Sequence, residues 1–129
     1  MLLFTKEITE KLVQNGQKEE YGNHVPVVKI FDPYSPSIWL LTEISPGAPD
    51  ILVGLADLGF QCPEIGSVYR SDLENVRGVS GLPLERDMYF TTTVPLIEWA
   101  KVSSQIGYIP RDEKELRRCA ADCNIELST

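Results

Sequence analysis

The sequence predicts an α+β domain: an antiparallel sheet of about four to five strands with its helices packed on one side. Three observations lead there. β-branched and aromatic runs separated by Pro, Gly and Ser turns fill the stretch from Val25 to Leu58. Their connections are too short for parallel strands, which need a crossover of a dozen residues or more. Segments with apolar residues at helical spacing stand at both ends of the chain, an order that suits helices laid against an antiparallel sheet. Finally, 129 residues with 43% hydrophobic and 24% charged side chains match the size and make-up of one ordinary globular domain.

Each element has its own signal. Thr5 is an N-cap for a helix from about Lys6 to Gln14, with Phe4, Ile8 and Leu12 on one stripe and Asn15-Gly16 as a left-handed stop. Gln17 to His24 is polar and reads as a surface loop. Strands are expected at Val25–Phe31, Ile38–Ile44 and Ile51–Leu58, broken by Asp32-Pro33, Tyr34-Ser35-Pro36-Ser37 and Ser45-Pro46-Gly47. Gln61 to Gly66 reads as a loop and Ser67–Arg70 as a short strand. Ser71 and Glu74 have capping-box spacing and open a helical turn. Leu82 to Thr92 is expected to be a further strand, best formed at Met88-Tyr89-Phe90. Pro95 opens a helix that Gly107 ends. Pro110 opens a last helix with Leu116, Cys119, Ala120 and Cys123 on one face. Residues 1–107 are thus expected to form the domain, and residues 108–129 a helical extension packed on it.

Composition excludes several function classes. No apolar run reaches the roughly 20 residues of a membrane span, and the start lacks the basic and long apolar regions of a secretory signal, so the cytoplasm is the expected compartment. Three cysteines, Cys62, Cys119 and Cys123, cannot pair completely within one chain. Cys119 and Cys123 share a helix face, as buried small residues do. With His24 the only histidine, neither a metal centre nor a cofactor is expected. The formal charge is −7, and no Lys or Arg lies between Lys29 and Arg70, where Asp32, Glu43, Asp50, Asp57 and Glu64 all fall. That field repels phosphates. Direct nucleic-acid binding is not expected, and a basic protein surface is the expected partner.

The middle of the chain carries five segments in one order. They are Pro26–Pro33 (PVVKIFDP), Trp39–Glu43 (WLLTE), Gly54–Gly59 (GLADLG), Pro63–Val68 (PEIGSV) and Gly81–Asp87 (GLPLERD), closing on Phe90. This combination resembles a family of small bacterial proteins known as a domain of unknown function, often carried by plasmids, integrative elements and phages. The resemblance runs from the amino-terminal helix to about Trp99. It implies an α+β domain and a mobile-element setting, and brings no catalytic residues with it.

The residues themselves offer few sites for chemistry. Glu85 and Asp87 would share one strand face, with Arg86 on the other. The two carboxylates suit acid–base work or a hard cation, whereas Arg86 suits a bidentate pair with Glu43 or Glu64. Nucleophilic catalysis would have to use His24, in a loop expected to be mobile. Gly78-Val79-Ser80-Gly81 has the spacing of a single-strand RNA clamp, with only Arg77 as a cation beside it. Tyr34, Trp39, Tyr69, Tyr89, Phe90 and Trp99 would make a stacking platform, but without interleaved cations they read as core. The expected function is therefore an interaction protein, an accessory or anti-defence factor, with Asp50, Asp57, Glu64, Glu43, Glu85, Arg86 and Asp87 as candidate binding residues. The rival reading is a small cation-dependent hydrolase using Glu85, Asp87 and Glu43.

Overall fold

Strand β2 (Ile38–Ile44) is buried without a break from Leu40 to Ile44. Successive strand residues point to opposite faces, so both faces of this strand must be covered. The structure, a computed structural model, describes residues 1–77 and 80–128. β1 (Val28–Phe31), β2, β3 (Ile51–Asp57) and β4 (Glu64–Tyr69) form an antiparallel meander, and β5 (Glu85–Arg86) joins the outer side of β1, giving the order β4-β3-β2-β1-β5. Four helices accompany the sheet: α1 (Lys6–Gly16), α2 (Arg70–Asn75), α3 (Leu96–Ile106) and α4 (Glu113–Asp122). None of them is long and apolar enough to cross a membrane.

The α+β class and the strand number hold, but the helices lie on both faces rather than on one. On the first face Val28, Ile30, Leu41 and Leu52 pack with Phe4, Leu12 of α1 and Leu73 of α2. On the second, Leu40 and Leu55 pack with Leu96, Trp99 and Val102 of α3 and Leu116, Cys119 and Ala120 of α4. The unbroken apolar run Ile38–Leu41 has no polar face to give to water. The segment beyond residue 107 thus supplies part of the second core, with Ile125 and Leu127 half-buried against it.

Helix α1 starts as its cap requires, with the Ile8 N–H donating to Thr5 Oγ1 at 3.2 Å. It continues through Asn15-Gly16 rather than stopping there, because both residues serve a contact with β2. Asn15 Nδ2 donates to Thr42 O at 2.9 Å, where the β2–β3 register slips between Leu41 and Glu43. A Cβ on Gly16 would fall 1.8 Å from Ile44 O, so only glycine lets the helix come so close.

Four local expectations change. The segment from Glu64 belongs to β4 rather than to a loop, since six residues pair in register with β3 and override the weak strand propensity of Glu and Gly. Ser71 does not cap α2; it donates from its N–H and its hydroxyl to Asp50, at 2.9 and 2.6 Å. The strand expected over Leu82–Thr92 shrinks to Glu85–Arg86. Asp87 Oδ1 accepts from Tyr89 N at 2.9 Å, which turns the chain and leaves Tyr89 94% exposed. Helix α4 is capped by Asp112, which accepts from Glu115 N at 2.8 Å, so it opens after Pro110 rather than at it.

Glu113 at the start of α4 holds the strand-to-helix connection, accepting from Thr93 N and Thr92 Oγ1, each at 2.8 Å. The Thr93 N–H foremost, then the Thr92 hydroxyl, hold its carboxyl below the usual glutamate range. A depressed folded pKa stabilises the fold above the unfolded value, about 4.3, and that contribution fades as pH falls through the folded value. The melting-temperature gap between wild type and Glu113→Gln is expected to be full at neutral pH and to close in acid. A gap that widens in acid would refute the assignment.

Candidate functional site

Most of the acidic residues singled out from the sequence are tied to backbone amides. Glu43, only 2% exposed, accepts from Gly22 N at 2.9 Å and so fastens the chain that leaves α1. Buried Asp57 accepts from Gly59 N at 2.9 Å and Ile109 N at 3.3 Å, pinning the α3–α4 connection to the end of β3. Buried Asp32 accepts from Tyr34 N, and Asp50 holds Ser71. A carboxylate is short, accepts from two directions and suits an amide left over in a turn.

The β5 cluster is similarly committed. Asp87 lies 3.5 Å from the Nζ of nearly buried Lys29, which also donates to Arg111 O at 2.8 Å. Arg86 reaches neither Glu43 nor Glu64; it donates to the carbonyls of Leu2 and Leu3. Glu85 is half-buried opposite Phe31. Glu43 does not join Glu85 and Asp87. β5 pairs with the end of β1 that faces Ile38, five residues along β2 from Glu43, or about 16 Å at strand spacing. Among the described residues no group of three or more His, Cys, Asp or Glu is placed to hold a metal ion.

The other candidates disperse as well. His24 is buried rather than in an open loop, and its carbonyl accepts from Leu96 N. Trp99 and Phe90 pack together with ring centroids 5.9 Å apart, whereas Tyr34, Tyr69 and Tyr89 are exposed. Cys119 is buried, Cys123 half-buried and Cys62 exposed. Gly78 and Val79 of the Gly-x-x-Gly segment lie outside the described residues.

A different feature emerges on the α1 face of the sheet. Strand pairing sets three rows across β2, β3 and β4: Trp39–Ala56–Glu64, Leu41–Gly54–Gly66 and Ile44–Leu52–Val68. Four of these nine positions carry glycine, alanine or an exposed carboxylate, so the sheet is hollow there. The result is a trough of about 280 Å³. Its floor is Leu41, Gly54, Ala56 and Gly66, and its walls include Trp39, Val68, Leu58 and Phe60. Leu58 and Phe60, on the β3–β4 turn, are 51% and 76% exposed. Cys62, Glu64 and Ser67 are the lining groups with chemical character beyond apolar contact.

Large exposed apolar groups around a concave floor are the mark of a binding surface. Small residues at 54, 56 and 66 and an aromatic turn were visible in the sequence. The register that aligns them was not.

A family model described as "Protein of unknown function (DUF2958)" matches residues 3–110. The matched region holds the whole sheet and α1 to α3, extends past Trp99 and stops just short of α4. No curated protein and no solved structure matches the chain.

Proposed function

The chain belongs to this family of proteins of unknown function, and on that premise we propose that it is an interaction protein whose trough captures a partner protein. The observation that carries the reading is the hollow between Trp39, Phe60 and Gly66, an apolar surface left uncovered beside a sheet whose central strand β2 is buried on both faces. The partner offers an apolar side chain beside a basic one, which meets Glu64 in a region with no cation of its own between Lys29 and Arg70. The family resemblance supports a cytoplasmic accessory or anti-defence role for a bacterial mobile element. The hydrolase reading loses its third carboxylate, since Glu43 stands apart from Glu85 and Asp87.

The test is affinity capture from a bacterial lysate with wild type, Gly66→Phe and Tyr89→Ser. Gly66 has nothing within 4 Å of an added Cβ, so a phenylalanine there starts from open space and is expected to fill the trough. A protein retained by wild type and Tyr89→Ser but reduced about tenfold (1.4 kcal/mol) by Gly66→Phe is the expected result. Equal capture by all three removes the trough from the function.

A further inference from the structure

We infer that the partner enters as an extended segment that adds to the outer edge of β4 as a sixth strand, dropping an apolar side chain past Gly66 into the trough. This deepens the interaction reading and rests on it.

The two edges of the sheet are treated differently. At one, β5 has only two residues, and Arg86 ties it to the amino-terminal chain through its backbone N–H to Met1 Sδ and its guanidinium to Leu2 and Leu3. That edge is blunted in the manner by which sheets avoid adventitious pairing. At the other, β4 runs for six residues, Glu-Ile-Gly-Ser-Val-Tyr, with no proline, no lysine and no break in its register with β3. Glu64, Gly66, Ser67 and Tyr69 on it are exposed, and no described strand pairs on its outer side. A row of free amides and carbonyls therefore lies next to a cavity.

Gly66 joins the two. It is the edge residue of the Leu41–Gly54–Gly66 row, and an added Cβ would meet nothing within 4 Å. Side chains directly opposite on adjacent strands lie about 5 Å apart. A residue set against Gly66 from outside thus meets no intervening side chain before the floor at Gly54 and Leu41. Its same-face neighbours two residues away face Glu64 and Val68. Strand addition draws affinity from main-chain bonds and selectivity from alternate side chains. The segment this edge fits sets a basic residue against Glu64 and apolar ones against Gly66 and Val68, which reads basic, any, apolar, any, apolar when it runs parallel to β4 and the reverse when it runs antiparallel.

Charge agrees with that occupant. Glu64 stands at one end of the edge, and exposed Asp72 on α2 lies past the other. Arg70, the next cation along the chain, is drawn inward: its Nε is 3.5 Å from Glu74 and its guanidinium stacks 4.8 Å from the Phe4 ring.

The experiment selects a displayed library of random linear peptides, about twelve residues long to span the edge with flanks, on immobilised full-length protein. An enriched peptide is then followed by amide hydrogen exchange. We expect the basic-x-apolar-x-apolar pattern in one of its two directions, new protection at residues 64–69, and at least a tenfold loss of binding when alternate peptide amides are N-methylated. Glu64→Lys is expected to switch the selected charge to acidic. Peptides that bind without protecting β4 and tolerate N-methylation overturn strand addition, and the trough survives if Gly66→Phe still blocks them. If Gly66→Phe has no effect either, both readings fall. Failure to enrich any peptide also overturns strand addition, as does a β4 edge already protected by a second copy in sedimentation-defined dimers.

Discussion

Gly54→Ala is expected to lower stability by about 3 kcal/mol or more, at the upper end of what overpacking costs, while Gly66→Ala leaves it unchanged or raises it slightly. The two glycines are direct partners across β3 and β4, so a propensity argument would treat them alike. Their surroundings differ. A Cβ on Gly54 would lie 2.1 Å from Leu40 O and 2.9 Å from Leu41 Cα, and these are backbone atoms in the middle of the sheet that cannot rotate away. Relief requires parting β2 from β3, the central pair. Gly66 faces open space, and alanine there restricts the unfolded chain, a gain of up to about 1 kcal/mol. Chemical denaturation of the two variants beside wild type decides the matter. Equal midpoints would show that β2 and β3 are not held as close as described.

Trp99→Ala is expected to cost about 3–5 kcal/mol, the range for removing a buried aromatic. Trp99 is fully buried and central to the core that joins Leu40 and Leu55 of the sheet to α3 and α4. Small domains hold about 5–15 kcal/mol in all, so this one truncation removes a large share. Ile97, two residues earlier and 54% exposed, is the control, and its alanine variant should stay within about 0.5 kcal/mol of wild type. Thermal unfolding of both would contradict the two-faced sheet if Ile97→Ala proved the more damaging.

Signals carried by neighbouring residues were legible in the sequence. Thr5 capping α1, β2 at Ile38–Ile44 and α3 between Pro95 and Gly107 needed no distant partner. Errors gathered where a remote group decides the local structure. Asp50 took the role assigned to Ser71, pairing with β3 drew Glu64 into a strand, and the Asp87 side chain ended a strand that the aromatic run alone would continue. The site was obscured for the same reason. A charge count treats five carboxylates without a cation as a face, yet Glu43, Asp57 and Asp32 are turned inward to hold amides. The trough, by contrast, consists of what is missing at 54, 56 and 66, and composition has no sign for that.

The clasp between Arg86 and the carbonyls of Leu2 and Leu3 links groups 84 and 83 positions apart. A chain made from its amino terminus must leave its first residues waiting while the whole meander emerges, so this edge closes late in synthesis. Cargo fused to the amino terminus would be carried into that closure, whereas the carboxyl end leaves the clasp untouched. Handles for purification or labelling therefore belong at the carboxyl end, beyond the half-buried Ile125 and Leu127.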